Sequence, residues 1–397
     1  MLKKFDYLII GGGIVGLSIG LELLKLQSKP SVLVVEKEIQ FGVHASGRNS
    51  GVLHAGFYYS PDSLKAKFCL DGNYELKTLI KNHNLPILNC GKIVVAKGKE
   101  DLPRMHQLLE RGLANGVNLL SYPASQIERF EPLAATHEEF LWSPDTSVSD
   151  PLAVGNLIKN LFLNAGGQIQ FGSEIQLREG QNIYLSGNAV DAEQIINASG
   201  TNAVHLAHQN DAGLQFEQLP VLGRYKVTSS NNLPLRTLVY PVPNPTNPFL
   251  GVHFTLTVSG AIKIGPTAIP IIGKEQYKFR DIPALQDFKS SGRAIKGLFS
   301  SSPINLLQLA ITELPKISTK RLVSEAMELV PSVSKNIKWN SKSPGIRAQL
   351  VNMKNKSFEM DYVVEQNGKF THILNAVSPG WTSAIPFAKY VVKNFLA

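Results

Sequence analysis

Tyr7–Ile10 is a short unbroken apolar run that stops at glycine, as a strand buried on both faces does. A mainly apolar stretch follows to Leu24, and Ser31–Val35 is a second short run ending at Glu36. The pattern predicts strand, glycine turn, helix and strand as one unit over Phe5–Glu36. Helical spacing returns at Pro61–His83, where Leu64, Phe68, Leu76, Leu79 and Ile80 share a face. It returns again at Leu102–Asn115 and at Leu152–Ala165, which stops at Gly166 and Gly167. Strand-like runs occupy ILNCGKIVVAKGKED, QIQFGSEI and EQIINASGTNA, then RTLVYPVP, FLGVHFTL and AIKIGP within Leu219–Ser343. GIRAQL reads as another strand, and HILNAVSPGWTSAIPFAKYVVKNFLA as strand, glycine turn and terminal helix.

Lys3 and Lys4 ahead of the first apolar stretch raise a signal peptide or a membrane span as alternatives. Three consecutive glycines, the charged Glu22 and the lack of a small-residue cleavage site argue against both, and no other stretch reaches spanning length. With 397 residues, 43% of them hydrophobic, the chain has material for two interleaved domains. Two cysteines, Cys69 and Cys90, make neither a disulfide framework nor a four-cysteine zinc site, so no metal is expected and a reducing, cytoplasmic setting is. The net charge of +9 is spread without Arg-rich blocks. It therefore suits an anionic cofactor and an acidic small-molecule substrate rather than nucleic acid.

The glycine turn carries the first chemistry. Gly11, Gly13 and Gly16 form G-x-G-x-x-G: a tight turn, a close backbone approach to a pyrophosphate, and a helix packed on its strand. The amides of Ile14 and Val15 face the phosphates, and Glu36, twenty residues beyond Gly16, is placed to accept from a ribose hydroxyl. Ile175 and a second strand ending at Ser199-Gly200 bring further backbone to the same dinucleotide, which favours FAD over a nicotinamide cofactor. Beyond Glu36 and Lys37, the loop FGVHASGRNSGVLHAGFYY offers His44, Ser46, Gly47, Arg48, Asn49 and Ser50 to the cofactor.

HASGRNSGVLHAGFYY followed by SLKAKFC resembles the L-2-hydroxyglutarate dehydrogenase and oxidase family, flavoproteins of the D-amino-acid oxidase superfamily. YPVPNPTNPFLGVHFT, IKIGPTAIP and SPGIRAQL extend the resemblance over most of the chain. It implies an α/β, Rossmann-like FAD-binding domain interleaved with an α+β, mainly antiparallel-sheet substrate domain. The expected FAD-binding parts are 1–88, 149–217 and 344–397, with substrate-domain excursions at 89–148 and 218–343; Asp150 marks the first return. Gly380, Trp381, Thr382 and Ser383 then form the final flavin-binding turn. The implied reaction is oxidation of L-2-hydroxyglutarate to 2-oxoglutarate, with a quinone, oxygen or a protein as electron acceptor. Amine or amino-acid oxidation is the main alternative, and a catalytically silent flavin subunit another.

Oxidising a 2-hydroxy acid needs a base for the hydroxyl proton and a cation for the carboxylate. His54 is the candidate base, through a pKa near neutrality, and a buried turn-holding histidine is its alternative role. Arg347 is the candidate carboxylate fork. His253 is a second base or donor, or else a core histidine, and Tyr58 and Tyr59 are hydroxyl donors or packing rings. Superfamily members attach flavin covalently to a histidine in a His-Ala-Ala-Gly context; His44-Ala45-Ser46-Gly47 is expected to make a noncovalent contact. Two segments depart from the family pattern, Val221–Tyr225 and Gly380-Trp381, and bear on the substrate. Finally, Gly292–Arg321 mixes Ile295, Leu298, Phe299, Leu306, Leu307, Leu309, Ala310 and Ile311 with Arg293, Lys296, Lys316, Lys320 and Arg321. That composition suits peripheral contact with an anionic bilayer, the inner face of the cytoplasmic membrane, or a helix pair packed on its own domain.

Overall fold

The computed structural model describes residues 4–178, 182–185, 187–244, 247, 249–299, 306–333 and 337–396. β1 (Lys4–Ile10) lies between β2 (Val32–Val35) and the strand Asn188–Asn197, parallel to both. Gln168–Gln170 adds beyond β2 and Phe370–Ile373 beyond Asn188–Asn197, again in parallel. Helix α1 (Ile14–Leu23) packs on one face with Pro151–Asn164 and Ala384–Val391.

Side-chain alternation explains why both faces had to be covered. Ile9 and Val34 enter the cluster beneath α1, whereas Leu8, Ile10, Leu33 and Val35 enter a cluster on the opposite face with Ile175, Ile183 and Leu206. With no polar side chain in Leu8–Ile10 or β2, neither face tolerates water, which is the arrangement of an enclosed parallel sheet. The strand–turn–helix–strand unit expected over Phe5–Glu36 is present.

The two excursions away from this sheet join each other. Lys92–Val95 pairs in parallel with Leu238–Pro241, and the other pairs of that eight-stranded sheet are antiparallel. The helices expected at 61–83, 102–115 and 152–165 are Leu64–Asn82, Leu102–Ala114 and Pro151–Asn164. Asp150 caps the last of these, its carboxylate accepting from the amides of Leu152 and Ala153.

A third, four-stranded sheet lies between the two larger ones in the chain's path: Phe216–Gly223 pairs along all eight residues with Gly345–Asn352. The expected boundary at 217/218 falls inside the first of these strands, and Gly345–Asn352, assigned to the FAD-binding part, pairs with no strand of the parallel sheet. The boundary at 148/149 likewise falls inside the strand Ser147–Ser149. Ser147–Ser149 pairs with Val52–Leu53 and Ile87–Leu88, so that boundary too cuts a paired strand.

Candidate active site

A cavity of about 730 Å³ runs past the carboxyl ends of β1, β2 and Asn188–Asn197, where an open parallel sheet accepts ligands, and continues to the four-stranded sheet. At the parallel-sheet end its wall is backbone. Gly11 has φ of +107°, and a Cβ there would stand 2.5 Å from the Ala198 carbonyl oxygen, so two chain turns meet where only glycine fits. A Cβ on Gly16 would stand 2.1 Å from the Gly11 carbonyl oxygen, which accounts for the third glycine by packing.

Glu36 is fixed by amides, its Oε2 accepting from Gly12 (2.8 Å) and its Oε1 from Glu38 (3.0 Å). One amide expected to face the phosphates is already engaged: Ile14 N donates to Ser46 Oγ at 2.9 Å. The loop and the helix N-terminus are therefore tied together before any ligand is considered.

The cavity rim joins both lobes. His44 sits between Tyr277 Oη (2.7 Å from Nδ1) and Glu38 Oε1 (2.8 Å from Nε2). Lys37 pairs with Glu275, and the Arg48 guanidinium lies 4.1 Å from the centre of the Tyr277 ring while Nη1 donates to the Pro344 carbonyl (3.2 Å). Glu38, His44 and Glu275 carry ligand atoms within 4.8 Å of one another, but Lys37 already balances the acids.

The far end is made of side chains. His54 and Arg347 both line it, as does Tyr225. His54 Nδ1 and Arg347 Nη1 are buried without a hydrogen-bond partner among the described residues. Burial first, then the nearby charges of Lys92 and His253, push the His54 pKa down to about 3. The near-neutral value expected from the sequence is thus corrected: enclosure keeps this imidazole neutral, a proton acceptor rather than a half-titrated group.

Of the other anticipated residues, Gly13, Val15, Lys37, Asn49, Ser50, Ile175, Ser199, Gly200, Gly380 and Trp381 also line the cavity. Gly16, Gly47, Thr382, Ser383, His253 and Tyr59 do not. Gly47 packs on Gly42, where a Cβ would stand 2.0 Å from the carbonyl oxygen. Thr382 Oγ1 donates to the Val52 carbonyl and accepts from the His54 amide, both at 3.2 Å, so it orients the strand that carries His54. Ser383 Oγ donates to Pro379 at the start of the terminal helix. His253 is buried, bonded through Nδ1 to the Gly251 carbonyl (2.8 Å) and stacked on Tyr240 with ring centres 3.8 Å apart. Tyr59 is enclosed next to Ser378, and burial raises its hydroxyl pKa.

Sequence reasoning missed Tyr277, which had no motif around it, and Tyr225, although it closes a segment singled out as unusual. Lys92 was also missed; its one signal was a lysine inside the apolar run KIVV.

The residues present suit a flavin dinucleotide. The backbone cradle excludes side chains at Gly11, Gly16 and Gly380, and Trp381 Nε1, His54 Nδ1 and Arg347 Nη1 are buried polar atoms still lacking a partner.

Residues 6–394 match the model of the FAD dependent oxidoreductase family. A relative from Indibacter alkaliphilus named L-2-hydroxyglutarate dehydrogenase is 32% identical over 394 residues, covering 96% of each chain. The protein of that name from Escherichia coli K12 is 31% identical, over 98% of this chain and 93% of its own. Among solved structures, the FAD-bound L-alpha-glycerophosphate oxidase of Mycoplasma pneumoniae superposes with a TM-score of 0.77 at 22% identity, over 99% of this chain and 94% of that one. Glycine oxidase from Geobacillus kaustophilus gives 0.73 at 18%, over 98% and 94%. Backbone cradle, whole-length match and shared fold agree: the chain belongs to the FAD dependent oxidoreductase family, together with the L-2-hydroxyglutarate dehydrogenases.

Proposed function

We propose that this protein oxidises L-2-hydroxyglutarate to 2-oxoglutarate. The observation that carries the reading is the pairing, at one end of the cavity, of an unpartnered arginine fork with a neutral, unpartnered imidazole. Arg347 binds the substrate's α-carboxylate through charge-assisted hydrogen bonds, and the His54 imidazole takes the hydroxyl proton. Bound FAD supplies the hydride acceptor for the α-carbon. Its holders are the glycine turn, Glu36, Ser46, Asn49, Ser50, Ser199 and Gly200 at the dinucleotide end, with Gly380 and Trp381 toward the ring. An anionic substrate beside His54 raises its proton affinity just as the proton has to move. Thr382, bonded to the His54 amide, keeps the base from drifting.

The test is anaerobic titration of the flavin absorbance with L-2-hydroxyglutarate, its D enantiomer, lactate, glycerol-3-phosphate, sarcosine and glycine. Bleaching by the L acid alone is expected. Bleaching by glycine or sarcosine instead would replace this substrate with an amine.

The electron acceptor of the reduced flavin is a quinone, oxygen or a protein, and a surface feature favours a membrane-borne one. Phe279, Ile282, Leu285, Phe288, Phe299, Leu307, Ile311, Leu314 and Ile317 are all exposed, Ile282 at 93%, along one short part of the chain. Arg280, Lys289, Arg293, Lys296, Lys320 and Arg321 are exposed among them. We infer peripheral docking of this segment on an anionic bilayer. Of the apolar set named from the sequence, Leu298 and Leu309 are core, and Lys316 is buried in ion pairs with Glu313 and Glu325, so neither type serves docking there. Residues 300–305 of that segment and the Leu306 side chain lie outside the described residues. No described helix is long and apolar enough to cross a membrane. Co-sedimentation with phosphatidylglycerol vesicles but not with phosphatidylcholine vesicles, lost in I282D/F288D, is expected; equal binding of both vesicle types, or none, would refute it.

A further inference from the structure

Lys92 is the largest fully buried charged side chain among the described residues, with no accessible surface and no hydrogen-bond partner there for Nζ. It stands in the strand Lys92–Val95, where the two excursions join, opposite Leu238 on one side and Ser143 on the other. Three rings enclose its Nζ: Phe57, Tyr58 and Tyr240, with centres at 4.4, 4.7 and 4.9 Å. Ring faces attract a cation but take no proton from it, so the group stays an uncompensated charge.

No anion is at hand to neutralise it. From the helix Leu64–Asn82 the nearby titratable group is Cys69, from the approach to its own strand Cys90, and burial pushes these thiols up to about 12 and about 11. Tyr58 and Tyr240 are likewise held neutral by burial. What remains within electrostatic reach are two imidazoles: burial lowers the proton affinity of both, Lys92 adds to the lowering at His54, and Arg347 and then Lys92 add to it at His253. The structural links are short. Tyr240 contacts Lys92 and stacks on His253, Phe57 and Tyr58 follow His54 in the chain by three and four residues, and Cys69 Sγ bonds to the His54 carbonyl at 3.3 Å.

We propose that Lys92 is a positioning residue for the oxidation: an internal cation, boxed by three aromatic rings, that keeps His54 from arriving at the reaction already protonated. This rests on the reading of His54 as the base. The effect is reciprocal, since a proton on His54 must disfavour the one on Lys92 to the same extent. Burial brings Lys92 itself down to about 7, and His54 lies well below that, so near neutrality at most one of the two carries a charge.

The experiment compares wild type, Lys92→Met, which keeps the length and removes the charge, and Lys92→Arg, which restores it. The holoenzyme, labelled with nitrogen-15 at histidine, is titrated by NMR, with His54→Gln to assign the resonance. Expected is a rise of the His54 midpoint by about one pH unit or more in Lys92→Met. The acid limb of kcat/KM for L-2-hydroxyglutarate should move by the same amount, and Lys92→Arg should return both toward wild type. An unchanged His54 midpoint in folded Lys92→Met overturns the proposal. A shifted midpoint in a protein that bleaches with none of the hydroxy acids leaves the Lys92–His54 coupling standing and removes the assigned reaction, so the two failures are told apart. Should Lys92→Met not fold, Lys92→Gln replaces it under the same criteria.

Discussion

The two ends of one cavity are built from different materials. At the dinucleotide end the wall is peptide backbone, shaped by glycines at which a Cβ would collide with a carbonyl oxygen. At the hydroxy-acid end it is side chains drawn from three separate places: His54 after a two-residue strand, Tyr225 after Phe216–Gly223, and Arg347 within Gly345–Asn352. A backbone site is a local property, fixed within a few residues of chain, and it tolerates little. A side-chain site depends on which strands happen to pair, and single members of it are removed at the expense of chemistry rather than folding.

Substitutions should separate these behaviours. Gly16→Val, whose side chain must displace the Gly11 carbonyl, has the largest expected effect: about 4 kcal/mol or more of stability lost, and protein recovered without flavin absorbance. His54→Gln should keep its flavin and its melting temperature but lose roughly 10²–10⁴-fold in kcat, seen as slow anaerobic bleaching. Arg347→Met should weaken substrate binding by about 2–5 kcal/mol, chiefly through KM, again with flavin content intact. If either of these variants lost its flavin, the division between the two ends would fail.

Proton linkage gives a smaller, graded effect. His54 and His253 are lowered from 6.5 to about 3, and Lys92 and Lys263 from 10.5 to about 7. The unfolded chain therefore holds more protons than the folded one within each window. Stability should rise with pH from about 3 to 6.5, and again from about 7 to 10.5. Melting temperatures measured across the upper window should rise less steeply in Lys92→Met than in wild type. Least of all, Glu275→Gln at the rim should cost no more than about 1 kcal/mol, because Lys37 and Glu275 are both partly solvated. Flavin release by acid from His44→Gln and wild type alike is expected of a noncovalent contact.

The same contrast explains what was legible in the sequence. The unit Phe5–Glu36 could be read residue by residue, because its glycines, its apolar runs and its acid lie at fixed separations along thirty-odd positions of chain. His54 and Arg347 were named from chemistry and family resemblance, and the structure places both at the cavity. Their meeting depends on the pairing of Gly345–Asn352 with Phe216–Gly223, more than a hundred residues apart, which no local pattern encodes. Tyr277 and Lys92 escaped for the same reason. Thr382 and Ser383 lie in the expected turn but do not line the cavity, because their hydroxyls are bonded to the Val52 and Pro379 carbonyls.

The parallel sheet has a consequence for how the protein is made. β1 leaves the ribosome well before its neighbour Asn188–Asn197, and that strand well before Phe370–Ile373 beyond it. A growing chain thus carries a bare strand edge until the later strand emerges, and the dinucleotide turn at Gly11 has no Ala198 to lean on until that residue is made. Contacts of such sequence separation close late and slowly. The dinucleotide site is therefore incomplete until Asn188–Asn197 has paired with β1.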